Sequence, residues 1–196
     1  MDLNVSKTKE NLMKAFAGES QARNRYTIAA SAAKKEGLNI IQDLFLYTAD
    51  QERAHAKVFF DYLKKCNTDN IEITGGFPIA NYAETIKNLR AAEHGEFEEF
   101  SDVYPSFAKV AEEEGFTAIA NTFTKIAEIE KCHSERFKKY ADLLESNSLF
   151  KREADTVWMC TNCGYIYEGK EAPAACPVCT HPQGYFMEFK ETKYEK

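Results

Sequence analysis

The sequence predicts a mainly α-helical protein, in which a bundle of four helices with a long crossover is followed by a small metal-bound domain. Two observations lead to this prediction. The motif Glu-x-x-His occurs twice, at residues 52–55 and 130–133, on two separate stretches of helical periodicity. Four of the six cysteines form two Cys-x-x-Cys pairs in the last quarter of the chain. The first observation indicates a metal-binding bundle, and the second indicates a metal-binding tail.

Composition narrows the possible classes of function. The chain has 196 residues, enough for one domain or two small ones, and 44% of them are hydrophobic. A net charge of −6 disfavours nucleic acid and anionic membranes as main partners. No apolar run approaches the roughly 20 residues of a membrane span, and the first residues lack the apolar core of a signal peptide. We therefore expect a cytoplasmic protein with no nucleic acid and no membrane among its partners.

Apolar residues at steps of three and four predict four helices, with glycines at the turns between them. The expected helices span residues 4 to about 35, 39 to about 66, 82 to 114 and 116 to about 145. Residues 67–80, with a short extended stretch at 71–73, form a loop long enough to cross the bundle. Pro105 interrupts the third helix. Two helices, a long crossover and two more helices are the ferritin-like connectivity.

The two Glu-x-x-His motifs predict a metal site inside the bundle. In a helix, residues three apart are separated by about 60°, so Glu52 and His55, or Glu130 and His133, can reach one metal ion. Bundles with two such motifs and a Glu from each other helix enclose two irons or manganeses. Two buried ions need several carboxylates to balance their charge. The alternative is that both motifs are solvated Glu–His pairs on helix surfaces.

The first and third helices must supply the remaining carboxylates. Glu10 and Glu19 are the choices on the first helix, and Glu19 lies on the apolar stripe. Tyr26 lies two turns beyond Glu19, where its hydroxyl either bonds a ligand carboxylate or belongs to an ordinary half-buried tyrosine. The third helix offers several carboxylates, and periodicity leaves open which of them point inward: Glu93, Glu96, Glu98 and Glu99.

The cysteine-rich tail predicts a second metal site. Four thiolates in two pairs suit tetrahedral zinc or a single iron, and the spacing does not name the metal. The candidate ligands are Cys160, Cys163, Cys176 and Cys179. A segment this short buries too little core to fold without such a metal. We place the bundle at residues 1–146, a linker at 147–156 and the tail at 157–196.

Three segments carry a resemblance to a known family: residues 18–26, the two Glu-x-x-His motifs, and residues 95–105 with their Tyr-Pro pair. Together they resemble rubrerythrin over nearly the whole chain. The tail resembles rubredoxin in its Cys-Gly-Tyr and Cys-Pro-Val-Cys sequences, and this likeness favours iron over zinc. Rubredoxins usually have Gly after the fourth cysteine, where this chain has Thr180.

The resemblance implies a ligand set for two irons in the bundle. Its members are Glu19, Glu52, His55, Glu96, Glu99, Glu130 and His133. Glu52 and Glu130 would bridge both irons, Glu19 and Glu96 would each bind one iron, and His133 would bind the second.

The remaining implied roles concern exchange and hydrogen bonding. His55 would bind the first iron in the reduced state, and Glu99 would replace it in the oxidised state. Tyr26 and Tyr104 would hydrogen-bond ligand carboxylates. An ideal helix aims Tyr104 away from both Glu96 and Glu99, so we expect Pro105 to distort the third helix.

The function implied by the resemblance is reduction of hydrogen peroxide to water by a non-haem diiron centre, oxo-bridged when oxidised, in defence against oxidative stress. Electrons would arrive from rubredoxin or an NAD(P)H-dependent reductase through the Fe(Cys)4 site of a homodimer. One alternative is a ferroxidase or iron-handling protein. Another is a non-enzymatic binding module with zinc in the tail, since zinc can substitute for iron at a four-cysteine site.

Overall fold

Within residues 1–192, which a computed structural model describes, five α-helices form the four rods of a bundle. They are α1 (Lys7–Lys35), α2 (Asn39–Leu63), α3 (Thr85–Glu98), α4 (Tyr104–Glu113) and α5 (Thr117–Glu145). A 3-10 turn at Leu3–Val5 precedes α1, so the first helix begins later than predicted. α2 also ends earlier than predicted, at Leu63. The mainly α, ferritin-like fold class expected from the sequence is confirmed.

Local signals set the turns of the bundle. The Ser6 side chain accepts a hydrogen bond from the backbone N–H of Lys9 and caps α1. Gly37 and Gly115 have φ angles of 73° and 84°, a left-handed conformation that costs glycine little, and they end α1 and α4. The short turns after these glycines make each pair of flanking helices antiparallel neighbours.

The crossover between α2 and α3 contains no helix or strand, so the extended stretch expected at residues 71–73 does not pair with another strand. The side-chain amide of Gln21 donates to the backbone carbonyl of Pro78 and ties the loop to α1. The backbone N–H of Asn67 donates to Asn4 at 2.6 Å. These contacts hold the crossover along the outside of the bundle.

The third rod is broken rather than continuous. A π-helical turn, Glu99–Val103, separates α3 from α4, and the backbone N–H of Tyr104 bonds the Glu99 carbonyl five residues earlier. Pro105 follows at the start of α4, where its missing N–H costs little. The prediction of one helix over residues 82–114 is therefore wrong in detail, while the expected distortion near Pro105 is confirmed.

Two apolar clusters fill the bundle, and the polar cluster described below lies between them. The first cluster contains Tyr26, Phe45 and Phe137, whose rings lie 5.2–6.1 Å apart. The second contains Phe59 and Phe123, with ring centroids 5.2 Å apart. Burial of these large side chains stabilises the bundle and offsets the cost of the polar cluster between them.

The tail forms a small antiparallel sheet in the order β2-β1-β3. The strands are β1 (Lys151–Cys160), β2 (Ile166–Glu171) and β3 (Phe186–Glu188). β1 begins inside the predicted linker of residues 147–156, because Lys151 pairs with Glu171 and Thr156 pairs with Gly169. The tail was expected to run to residue 196, and residues 193–196 lie outside the described part.

The tail packs against one end of its own bundle. A Cβ atom built on Gly184 would lie 1.8 Å from the carbonyl oxygen of Gly37, so only glycine permits this approach. Lys139 and Glu191 form an ion pair at 2.5 Å across the same boundary. Among the described residues, no helix is both long and apolar enough to cross a membrane.

Candidate metal centres

Four carboxylates and two imidazoles meet inside the bundle, between the two apolar clusters. They come from α1, α2, α3 and α5 and are all buried: Glu19, Glu52, His55, Glu96, Glu130 and His133. Their ligand atoms divide into two groups, within each of which the atoms lie no more than 4.8 Å apart. Glu52 and Glu130 belong to both groups. The arrangement therefore offers two metal positions that share two carboxylates.

The distances show how the shared carboxylates divide their oxygens. His55 Nδ1 lies 3.1 Å from Glu52 Oε2 and 2.9 Å from Glu130 Oε1. His133 Nδ1 lies 3.1 Å from Glu52 Oε1 and 2.7 Å from Glu130 Oε2. Each carboxylate thus turns one oxygen toward each histidine, which is the geometry a bridging ligand needs.

Unpaired polar atoms in the cluster fit a metal pair. The buried atoms without a hydrogen bond include Glu19 Oε2, Glu52 Oε1, Glu96 Oε2, both oxygens of Glu130, and His133 Nδ1. Leaving such atoms unpaired in a protein interior costs about 1–3 kcal/mol each. Two cations between these atoms would satisfy all of them. Four carboxylates and two imidazoles are a donor set that suits iron or manganese.

Burial and neighbouring charges shift the pKa values of the cluster in opposite directions. Burial raises the pKa of Glu19 and Glu96 well above the usual range, with the charges of Glu130 and Glu52 adding to the effect. Burial would also raise the pKa of Glu52, but the nearby imidazoles of His133 and His55 lower it to about 2. The cluster therefore holds several protons in the metal-free chain.

The histidines of the metal-free cluster also have raised pKa values, which favour their protonated forms. Burial would lower the pKa of His133, but the close carboxylates of Glu130 and Glu52 raise it to about 12. The pKa of His55 rises in the same way, mainly through Glu130 after the opposing effect of burial. Because a metal ligand must give up its proton, metal binding at this site releases protons.

Two buried tyrosines hold the outer carboxylates in a crosswise pattern. The Tyr26 hydroxyl, from α1, donates to Glu96 Oε1 on α3. The Tyr104 hydroxyl, from the start of α4, donates to Glu19 Oε1 on α1. The π-helical turn aims Tyr104 inward, a direction that an ideal helix would not have given it. Each tyrosine therefore orients a carboxylate of the opposite rod.

The other candidate carboxylates lie outside the cluster. Glu99 is half-buried in the π-helical turn and belongs to neither metal-binding group. It lies instead on the wall of a cavity of about 210 Å³, together with Tyr104 and residues 75–78 of the crossover. Glu93 pairs with Arg90 at 2.7 Å, and Glu10 pairs with Lys7 at the surface.

One residue of the site has no signature in the sequence. The Gln51 side-chain oxygen lies 3.0 Å from His133 Nε2. Gln51 precedes Glu52 directly, and adjacent helix positions point about 100° apart. Neither periodicity nor motif spacing distinguishes such a residue from a surface glutamine.

The four cysteines of the tail form a second centre. Their sulfur atoms form one cluster, with 3.7 Å between the sulfurs of Cys160 and Cys179 and 3.6 Å between those of Cys163 and Cys176. All four are free of disulfide bonds. Two equivalent turns present them, in which Gly164 N–H bonds the Cys160 carbonyl at 2.8 Å and the turn at Cys176–Thr180 repeats this contact at 2.9 Å.

Thr180 stands where rubredoxins usually have Gly, and its backbone conformation is strained. Its φ angle of 63° lies in the left-handed region, where a β-branched side chain is strained. His181 is not in the cysteine group, since its Nδ1 lies 3.1 Å from the Cys179 carbonyl and its ring contacts Tyr185. A backbone hydrogen bond from His181 lowers the pKa of Cys179 to about 6, which favours the thiolate form.

Fold and sites together define a ferritin-like protein with a dinuclear carboxylate–histidine site and a rubredoxin-like four-cysteine site. The family model described as "Rubrerythrin" matches residues 10–141, and that of "Rubrerythrin, rubredoxin-like domain" matches residues 158–187. The chain belongs to the rubrerythrin family, and its Glu/His cluster and its four cysteines are the residues of a ferritin-like diiron site and of a rubredoxin-like site.

Individual relatives agree with this assignment. The chain is 49% identical to "Rubrerythrin" of Clostridium perfringens, over 97% of this chain and 98% of that protein. It is 51% identical to "Rubrerythrin-1" of Clostridium acetobutylicum, over 94% of this chain and 95% of that protein. A solved structure of nigerythrin in a partially reduced state has a TM-score of 0.64 at 31% identity and covers 94% of this chain and 88% of its own.

The shifted pKa values predict how the metal-free chain responds to pH. The stability that protonated Glu19 and Glu96 contribute is complete below the ordinary glutamate pKa and is lost as pH rises toward their raised values. The contribution of His55 and His133 is complete below about pH 6.5 and is lost toward their raised pKa values. The Tm of the metal-free chain should therefore fall as pH rises above about 6.5.

The measurement is thermal unfolding by circular dichroism, with a Glu96→Gln variant and an exposed control, Glu98→Gln. Glu96→Gln should flatten the pH dependence and Glu98→Gln should not. A Tm that rises with pH over this range in the metal-free chain would contradict the assigned proton content.

Proposed function

We propose that the protein is a non-haem diiron peroxidase that reduces hydrogen peroxide to water in defence against oxidative stress. The reaction consumes one hydrogen peroxide, two electrons and two protons and yields two waters. One observation carries the proposal: a four-cysteine site suited to one-electron transfer is part of the same chain as a dinuclear site suited to a two-electron reaction. Membership of the rubrerythrin family supports it.

Six side chains would hold the two irons in the bundle. Glu52 and Glu130 would bridge them, because each carboxylate already presents one oxygen to each metal position. The remaining ligands would be Glu19 with His55 on one side and Glu96 with His133 on the other. When bound and reduced, two ferrous ions supply the two electrons that break the O–O bond.

Glu99 bears on two requirements of the proposed reaction, the supply of protons and the access of peroxide to the bundle cluster. Burial of the carboxyl, followed by the charges of Glu96 and Glu19, raises the pKa of Glu99 well above its usual range and so favours its protonated form. The cavity beside it provides a route for a small peroxide from the crossover side. In the role proposed from the family resemblance, Glu99 exchanges with His55 as the irons change oxidation state.

The position of Glu99 beside the cluster supports the proposed exchange, because the charges of Glu96 and Glu19 already act on its carboxyl. It lies one turn from Glu96 on the π-helical segment, beside the cluster but outside it. Single-turn π-helices are frequent at functional sites because they change the direction of a side chain within an otherwise regular helix. We propose that a change in this turn moves the Glu99 carboxylate into the ligand set when His55 leaves it.

The tail contacts its own bundle at one end, at a distance from the metal cluster. The tail contacts the bundle at Gly37, next to the start of α2. Glu52 follows Asn39 by 13 residues (52 − 39), which is about 20 Å of helix at 1.5 Å per residue. We propose that each bundle receives electrons from the Fe(Cys)4 tail of its partner in a homodimer. Rubredoxin or an NAD(P)H-dependent reductase would supply them.

Oxidation of the fully reduced chain tests the proposed chemistry. Stopped-flow mixing with one equivalent of hydrogen peroxide should reoxidise the bundle irons much faster than mixing with oxygen does. Glu130→Ala should slow the peroxide reaction by more than about a hundredfold. Mutating a residue that only hydrogen-bonds a metal ligand typically lowers activity about 10–100-fold, and losing a ligand itself should cost more. Glu128→Ala, at an exposed position on the same helix, is the matched control.

Equal rates with oxygen and peroxide would favour a ferroxidase or iron-handling role instead. A chain that binds zinc in the tail and no iron in the bundle would favour a binding module. Unchanged peroxide reactivity in Glu130→Ala would show that the bundle cluster is not the reacting centre.

A mixture of two inactive variants tests transfer between subunits. Cys160→Ser disables the tail, and Glu130→Ala disables the bundle. Random pairing after co-expression makes half of the dimers mixed, and each mixed dimer retains one intact bundle facing an intact partner tail. Peroxide turnover should recover to about a quarter of wild type. No recovery in verified mixed dimers, while wild type turns over normally, would mean that each tail serves its own bundle.

A further inference from the structure

A hydrogen-bond network links His133 to the surface of the bundle through Gln51. The Gln51 Oε1 atom lies 3.0 Å from His133 Nε2 and 3.4 Å from Arg136 Nη1. The amide nitrogen of Gln51 donates to the Tyr47 hydroxyl at 3.3 Å, and the Arg136 guanidinium lies over the Tyr47 ring, 5.5 Å from its centre. Gln51 is thus held at both ends of its side chain.

This network determines which ring nitrogen of His133 carries a proton. Arg136 can only donate hydrogen bonds, so the Gln51 atom that it contacts must be the acceptor oxygen. The same oxygen faces His133 Nε2, which must then be the donor. When the imidazole is neutral, its lone pair lies on Nδ1, the atom that faces Glu52 and Glu130. The tautomer matches the one a metal ligand needs.

The other half of the site has no equivalent of Gln51. The two Glu-x-x-His motifs occupy matching positions, and the residue before the second motif is Ile129, with 38% of its surface exposed. Among residues 1–192, His55 Nε2 has no hydrogen-bond partner. His133 is fully enclosed, whereas the His55 side chain is 10% exposed. His133 therefore has protein polar atoms close to both of its ring nitrogens, whereas His55, within the described part of the chain, has them only at Nδ1.

We propose that Gln51 is a positioning residue that holds His133 in the Nε2–H tautomer, with Nδ1 directed at the bundle metals, and so makes His133 the immobile histidine of the site. The inference rests on the proposed function only in that the bundle binds iron. Gln51 does not touch the reacting atoms and acts through His133. Its absence on the His55 side leaves that histidine free to exchange.

The first test is the affinity of the bundle for ferrous iron, measured on the full chain by competition with a ferrous chelator after the four-cysteine site is filled. Gln51→Leu removes the acceptor at similar volume and should weaken iron binding by about 10–100-fold. Gln51→Glu keeps an acceptor oxygen and should restore affinity close to wild type. Gln42→Leu, on the same helix without a side-chain hydrogen bond among the described residues, is the control.

The second test distinguishes positioning from a general effect on folding. In the zinc-loaded chain with ¹⁵N-labelled histidine, NMR should show a proton on His133 Nε2 that exchanges slowly with water. Gln51→Leu should make this proton exchange at least tenfold faster, while Gln51→Glu keeps it protected. The signals of His55 should not change.

The outcomes separate the two claims. Wild-type protein that binds no iron in the bundle overturns both the proposed function and the inference. If wild type binds iron and Gln51→Leu matches Gln42→Leu in affinity and in proton exchange, the inference alone is wrong. Weaker iron binding with an unchanged Nε2 proton would also overturn it, because the loss would then not act through the tautomer.

Discussion

The structure depends on one constraint, the burial of four glutamates and two histidines at the centre of a helical bundle. Carboxylates in such an interior are costly unless cations and hydrogen-bond donors surround them. The protein meets this cost in layers: His55 and His133 face the shared carboxylates, and tyrosine hydroxyls bond the outer ones. Aromatic clusters on both sides stabilise the bundle around a site that would otherwise weaken it.

The two halves of the site resemble each other, and their differences are informative. Both have a Glu-x-x-His, an outer glutamate and a tyrosine, which produces near twofold symmetry in the measured distances. Within residues 1–192, Gln51 lies behind His133 and no residue takes the same place behind His55, while Glu99 and the adjoining cavity lie beside the cluster at the π-helical turn. A near-symmetric set of ligands thus offers two metal positions, and Gln51 makes the surroundings of the two histidines different.

The sequence predicted most of the fold because periodicity and turn glycines act locally. It also predicted Glu52, His55, Glu130 and His133, since the motif itself encodes their common face, whereas the choice among the third-helix glutamates depended on family resemblance. The sequence predicted a distortion near Pro105 but not its π-helical form, which accompanies the hydrogen bond from Tyr104 to Glu19 on α1.

Other features of the site depend on tertiary contacts that leave no sequence signal. Gln51 acquires its role only from the placement of α5 opposite α2. The sequence did not predict the start of β1, because residues 151–156 are mostly polar and become a strand only by pairing with β2. The close approach of Gly184 to Gly37 likewise depends on how the tail sits on the bundle.

The most direct test of the account is the number and kind of iron centres in the full chain, measured by metal analysis with Mössbauer spectroscopy of iron-reconstituted protein. The account predicts about three irons per chain, two in a coupled pair with oxygen and nitrogen ligands and one with four sulfur ligands. A single sulfur-bound iron, with none in the bundle at saturating ferrous iron, would contradict the claim that the buried carboxylates exist to hold a metal pair.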